Sequence, residues 1–236
     1  FKAYGLEMFG GASTDADHLT GNGYDWSYGG GFKLGATWDP LPWLSLGAAY
    51  QSRMWMSKLD KYSGLFAEQG DFDIPSFINE GIAIKPHRDV AVLIEHQRNH
   101  YDDVATHSTS HVRTNTPPNH GADDGAAFGW KDMDIYRIGV QWQVDPAVTL
   151  RTGISHATEF SDGQEVLFNI LAPATPTTHV GFGGTWHIDE KWSLTGSYAH
   201  AFSHELSGSN PAMNANQTTK LRMDQDELAI GFSYKF

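Results

Sequence analysis

The chain has 236 residues, 25 of them glycine and none cysteine, with 13% aromatics and a formal net charge of −12. It contains no run of the roughly 18 apolar residues that a membrane-crossing helix needs, and its mean hydropathy is negative, which excludes a bundle of membrane helices. The missing cysteines exclude a disulfide scaffold and any thiol-ligated metal. The acidic balance, with no basic stripe, argues against nucleic acid as a partner.

The chain opens on FKAYGLEMFGG, with no initiator Met and no signal peptide, and residues 2–9 read as a strand. Alternating or apolar segments follow at 26–38, 43–54, 76–85, 90–100, 130–144, 148–157, 178–188, 192–203 and 226–236. That makes about ten strands, most of them long enough to cross a bilayer at a tilt. Their connections take turns in length. Short ones are DPLP (39–42), KPHRD (85–89), VDPA (144–147) and DEK (189–191); long ones run about 10–25, 55–75, 101–129, 158–177 and 204–225. The pattern predicts an all-β, antiparallel up-and-down transmembrane β-barrel, with tight turns on one rim and long loops on the other.

The aromatics agree. Trp38, Trp43, Trp142, Trp186, Trp192 and Phe236 flank the short turns, while Trp26, Trp55, Trp130, Tyr28, Tyr101 and Tyr136 flank the long loops. Two such belts are what amphipathic rings form at the two bilayer interfaces; the alternative is the core of a soluble β-protein. In the closing stretch ELAIGFSYKF, Leu228, Ile230, Phe232, Tyr234 and Phe236 share one face, opposite Glu227, Ala229, Gly231, Ser233 and Lys235. Likewise Tyr136, Ile138, Val140 and Trp142 oppose Arg137, Gly139, Gln141 and Gln143. Charges fall mostly on the face expected to line the lumen, as they must when a lipid-facing Arg at the midplane costs about 2–4 kcal/mol. His96 and Arg98 break the rule on 90–100 and are placed at the outer headgroups, where Arg can snorkel.

Several stretches go beyond pattern. KLDKYSGLFAEQGDFDIP (58–75), WKDMDIYRIGVQWQV (130–144), TLRTGISHA (149–157) and FNILAPATPTTHVGFGGTW (168–186) resemble the FadL family, in order and over essentially the whole chain. These are outer-membrane transporters of long-chain fatty acids, with toluene- and xylene-channel relatives. The resemblance implies a multi-pass protein of the Gram-negative outer membrane, built on fourteen strands with an N-terminal hatch. About ten strands are visible here. Residues 1–236 are therefore expected to form a single barrel domain lacking the hatch and the first strands, which lie upstream or in a separate chain that completes the barrel. Closure on ten strands alone is the alternative. The triplet Asn210, Pro211, Ala212 copies a hatch motif but falls in an external loop and is read as coincidence.

The function implied is a passive channel for hydrophobic small molecules, fatty acid or hydrocarbon, set in outer-membrane lipid and lipopolysaccharide, with no cofactor and no catalysis. Alternatives are a general or structural porin, a scaffold in an envelope assembly, and a lipid-modifying enzyme. A fatty acid needs a cation for its carboxylate, and Lys33, Arg53, Arg137 and Arg151 face the lumen by parity, Arg151 and Arg137 most clearly. The plainer reading pairs them with lumen acids such as Glu95 and Glu227. Leu65, Phe66, Phe72 and Ile74, then Leu167, Phe168, Ile170 and Leu171, are apolar residues in external loops. They suit a capture groove, or a lid of loops packed on one another. MSKLDKYSGLFAEQ is expected to be a short amphipathic helix with Leu59, Tyr62 and Phe66 on one side.

No metal site is expected. His107 and His111 have ligand spacing only on a helix, the neighbouring TNTPPNHG that carries His120 is loop, and His96 and His100 lie about 13 Å apart on a strand. Ser203, His204 and Glu205, and Ser155 with His156, are the best catalytic material. Adjacent strand residues point to opposite faces, so neither set makes a nucleophile–base contact.

Overall fold

The computed structural model describes residues 1–111, 119–210 and 214–235. Its strands are β1 (Gly29–Gly30), β2 (Lys33–Leu41), β3 (Leu44–Gln51), β4 (Trp55–Met56), β5 (Phe77–His87), β6 (Val90–Asn99), β7 (Met133–Asp145), β8 (Val148–Ala157), β9 (Thr178–His187), β10 (Trp192–Asn210) and β11 (Asn214–Tyr234). β1 and β4 form a two-residue ribbon; the rest make one nine-stranded antiparallel meander in the order β2-β3-β5-β6-β7-β8-β9-β10-β11. Among the described residues β2 and β11 are its two edges and do not pair with each other.

The register shows the tilt of a barrel wall. One cross-strand row runs Trp38, Leu46, Ile82, Ile94, Ile138, Ile154, Val180, His200, Asp226. It begins beside the short turn after β2 and ends on the long-loop side of β10 and β11. Rows of hydrogen-bonded partners that climb from one rim to the other mean strands inclined to the barrel axis.

Burial is inverted relative to a soluble protein. On β7, Tyr136, Ile138, Val140 and Trp142 are exposed, whereas Arg137, Gly139 and Gln141 are half-buried. Leu228 and Phe232 on β11 are 75% and 73% exposed. An apolar face spread over nine strands is far larger than any patch water tolerates, and its natural solvent is lipid. Trp38, Trp43, Trp142, Trp186 and Trp192 are exposed at the short-turn rim.

The packed core lies in the loops. Ala3, Leu6, Phe9, Leu19, Leu59, Tyr62, Leu65, Phe66, Phe128 and Phe168 are buried together, with Phe72, Trp130, Leu167, Leu171 and Ala172 against them. Several polar groups inside this lid are paired through a few nodes. Asn169 accepts the Trp130 indole N–H at 2.6 Å and donates to the carbonyls of Phe128 and Glu165, both at 2.9 Å. The Tyr62 hydroxyl donates to the Gly23 carbonyl at 2.6 Å.

Four expectations are corrected. Residues 2–9 form no strand: Ala3, Leu6 and Phe9 recur every third residue, Glu7–Ala12 is a 3₁₀-helix, and all three apolar side chains enter the lid. The helix expected over 56–69 reduces to a 3₁₀ turn at Asp60–Tyr62 and α1 (Ala67–Gly70), in which Glu68 and Gln69 are left-handed at φ 53° and 55°. Leu59, Tyr62 and Phe66 are nonetheless all buried. The long loop expected over 204–225 is largely strand, because β10 and β11 run on past a bulge between Ala201 and His204, with Leu206 opposite Leu221 and Lys220 Nζ 2.7 Å from Glu205 Oε1. Tyr101 and Trp130 stand edge-to-face in the lid, ring centroids 5.3 Å apart, and not in an interfacial belt. The Asn210-Pro211-Ala212 triplet runs into residues outside the described ones, as does Phe236.

Candidate functional site: a glycine-floored trench

Three adjacent rows on the polar face of the sheet define the site. The upper row is Glu95, Arg137, Ser155, His179; the lower is Ala91, Gln141, Arg151, Gly183, Ser197. Between them run Leu93, Gly139, Gly153, Gly181, Ala199 and Glu227. Three successive glycines on neighbouring strands leave bare backbone as a floor, between one guanidinium-bearing row and another. A cavity of about 690 Å³ lies here, lined by Glu95, Arg137, Gln141, Arg151, His179 and Glu227 among others. Parity places Gly139 and Gly153 inward in the sequence, but only the register puts them side by side and next to Gly181.

The four candidate cations fall in different settings. Arg137 is neutralised: Nη1 bonds the Glu95 carboxylate and donates to Gln97 Oε1 at 3.0 Å. Arg151 is held by neutral groups, donating from Nε to Gln141 Oε1 and from Nη1 to Thr185 Oγ1, both at 2.8 Å. Among the described residues no carboxylate lies within ion-pair distance of it. Arg53 lies under the lid, with Nε 2.5 Å from Asp73, Nη2 3.5 Å from Asp71 and Nη1 donating to the Asp103 carbonyl at 2.9 Å. Lys33, on edge strand β2, places Nζ over the Phe77 ring at 5.1 Å from its centroid. The trench therefore holds one guanidinium whose charge is balanced and one whose charge is not.

The apolar loop residues are mostly sealed. Leu65, Phe66 and Phe168 are buried and Phe72, Leu167 and Leu171 pack against them, whereas Ile74 and Ile170 are 43% and 50% exposed. The turn carrying LFAEQGDFDIP is pinned from outside: Gln69 Nε2 donates to the Gly121 carbonyl at 3.0 Å and to Asp123 Oδ1 at 2.8 Å. Ser203 Oγ accepts from Arg222 Nε at 2.7 Å and His204 Nε2 lies 3.2 Å from Glu159, so these two neighbours turn to separate partners. On the apolar face, His96 Nε2 lies 2.9 Å from Asp134, and Arg98 bridges Asp134 and Asp132 at 3.0 and 3.1 Å. Among the described residues no three histidine or acidic side chains converge as a metal site.

Residues 5–236 match the family described as outer membrane protein transport protein (OMPP1/FadL/TodX). The chain belongs to that family. It is a β-barrel protein of the Gram-negative outer membrane. Its fold is similar to the Pseudomonas putida toluene transporter TodX, with a TM-score of 0.65 at 16% identity over 89% of this chain and 50% of that one. It is similar also to a Pseudomonas aeruginosa FadL homologue (0.59, 13% identity, 86% and 52% covered) and to the Ralstonia pickettii toluene transporter TbuX (0.53, 17%, 88% and 48%). This FadL-family chain spans about half the length of these structures. No curated protein matches its sequence.

Proposed function

We propose that this FadL-family chain forms the wall of a passive channel that admits hydrophobic molecules through the outer membrane, long-chain fatty acids among them, and that it is not an enzyme. The observation that carries the reading is Arg151: a guanidinium oriented by neutral acceptors beside a glycine-floored trench. Bare backbone accepts a slender apolar chain, and an unbalanced cation at its side favours a carboxylate through charge-assisted hydrogen bonds. Arg137, already bound to Glu95, shapes the trench wall. Lys33 and Arg53 stand further out as secondary cations. The loop residues Leu65, Phe66, Phe72, Ile74, Leu167, Phe168, Ile170 and Leu171 serve capture once the lid parts. Lipid and lipopolysaccharide cover the apolar face, with the His96, Arg98, Asp134 network at headgroup level. Further strands, upstream or in a separate chain, pair with edges β2 and β11, since unpaired edges cost several kcal/mol per group in hydrocarbon.

Titration of the purified protein with a fluorescent fatty acid tests the role of Arg151. Arg151→Gln should weaken binding of the carboxylate ligand by roughly tenfold or more while leaving a neutral hydrocarbon competitor unaffected. Equal affinity of wild type and variant for the fatty acid would remove Arg151 from the account.

A further inference from the structure

Three histidines are buried in the lid. His107, in α2 (Ala105–Ser108), His111 and His120 are each more than nine-tenths buried. Among the described residues Nδ1 of His107 and Nδ1 of His111 have no hydrogen-bond partner, and His120 has only the Leu65 carbonyl beside its ring, outside hydrogen-bond geometry. Their surroundings are aromatic. His111 and His120 both stack on Phe168, at 5.5 and 5.4 Å, and lie 5.7 Å from each other; His107 packs on Phe72 and Trp130 at 5.1 and 5.3 Å. Burying polar nitrogens with no partner is costly, so such a cluster calls for a use. Two imidazoles with no converging third ligand among the described residues make a poor metal site. A proton is the ligand they suit.

We propose that these three histidines are a proton-sensitive latch: while neutral they hold the loop lid shut, and when acid charges them the lid parts from the barrel. His120 is the centre. Its backbone is bonded to the N-terminal segment, donating to the Ala12 carbonyl at 2.8 Å and accepting from Thr14 N at 2.9 Å, so a charge there strains the seam between that segment and the loops. Among the described residues the charged neighbours are the following. Facing His107 are Arg53, which opposes protonation, and Asp73, which favours it. Asp71 lies alongside, its carbonyl bonded by Thr106. Facing His111 and His120 are each other and Glu165, whose carboxylate accepts the His111 backbone N–H at 2.7 Å and the Ser110 hydroxyl. On the N-terminal side Asp15 is already bonded to His18 and Ser63.

Burial pushes His107 and His120 down to about 4 and lowers His111 as well. A folded-state value below the ordinary 6.5 means the opened lid binds protons more readily than the closed one. The contribution to closure is therefore complete above about pH 6.5 and is lost as pH falls toward about 4. Burial raises Asp71 and Glu165, which has the opposite sign and offsets part of the loss. The lid is thus expected to loosen in acid while the strands hold.

Hydrogen–deuterium exchange of the purified protein, at about pH 7 and about pH 4.5 with rates corrected for intrinsic chemistry, tests this. Peptides from the lid should lose roughly tenfold or more of their protection in acid, and strand peptides should keep theirs. The triple variant His107→Gln, His111→Gln, His120→Gln should abolish the difference. An acid loss of the same size in the variant, or none in the wild type, would overturn the latch. Should the variant lack a formed lid even at neutral pH, titration of the wild-type imidazoles by ¹⁵N-histidine NMR decides: midpoints well below 6.5 support the proposal, and three ordinary midpoints refute it.

Discussion

In the channel proposed above, Arg151 and Gly181 act from opposite directions, one by its charge and one by having no side chain. A Cβ added at Gly181 would meet the Tyr198 carbonyl at 3.8 Å, ordinary contact, so a larger residue is tolerated by the wall. Gly181→Leu is expected to fill the trench, reducing fatty-acid uptake severalfold with barrel assembly unchanged, as judged by heat-modifiable migration in gels. Normal uptake in this variant would place the path elsewhere. At this scale the sequence was legible in part. Inward parity put Arg137 and Arg151 on the lumen face and offered Glu95 and Glu227 as partners, but it could not tell the balanced guanidinium from the unbalanced one. That difference lies in the register: Glu95 stands directly opposite Arg137, whereas Arg151 faces Gln141 and Gly183.

Among elements, the strands facing lipid were the readable ones, because period-two alternation is what a two-solvent wall enforces. Where water or other loops replaced lipid, the signal failed. The outer halves of β10 and β11 carry Ser, Gly, Thr and Lys with little apolar alternation, and so read as loop. Residues 2–9 are too short to separate a period of two from a period of three. The turn in α1 needs three consecutive left-handed residues, Glu68, Gln69 and Gly70 at φ 95°, a conformation that apolar spacing does not report. A Cβ on Gly70 would stand 2.5 Å from the Leu59 carbonyl. Gly70→Ala is expected to destabilise the lid by about 1–3 kcal/mol, seen as faster proteolysis of the 55–75 loop with the strands intact. Unchanged proteolysis would mean the turn is not what holds the loop.

The whole molecule is two structures in series, a lipid-solvated sheet and a water-facing lid with its own aromatic core. Burial teaches the division: exposed Leu228 and Phe232 are at home in the bilayer, while Tyr62 and Phe66 pack as in a soluble domain. Whether the loop apolar residues form a groove or a lid could not be read from their spacing, since either uses the same residues; the packing shows them mostly closed. The sheet presents edges β2 and β11, and native mass spectrometry of the detergent-purified protein is expected to show further polypeptide, in the same chain or a second one, beyond the 26.1 kDa of these residues. A stable, membrane-inserted species of that mass alone would mean that the nine strands close by themselves.

Uptake tests the central claim most directly. The protein would be placed in the outer membrane of Gram-negative cells that lack their own fatty-acid channel, and accumulation of a radiolabelled long-chain fatty acid compared with that of a small polar sugar. The expected result is faster entry of the fatty acid, independent of added energy, with sugar flux unchanged. Faster sugar flux without fatty-acid entry would contradict the account and identify a water-filled pore.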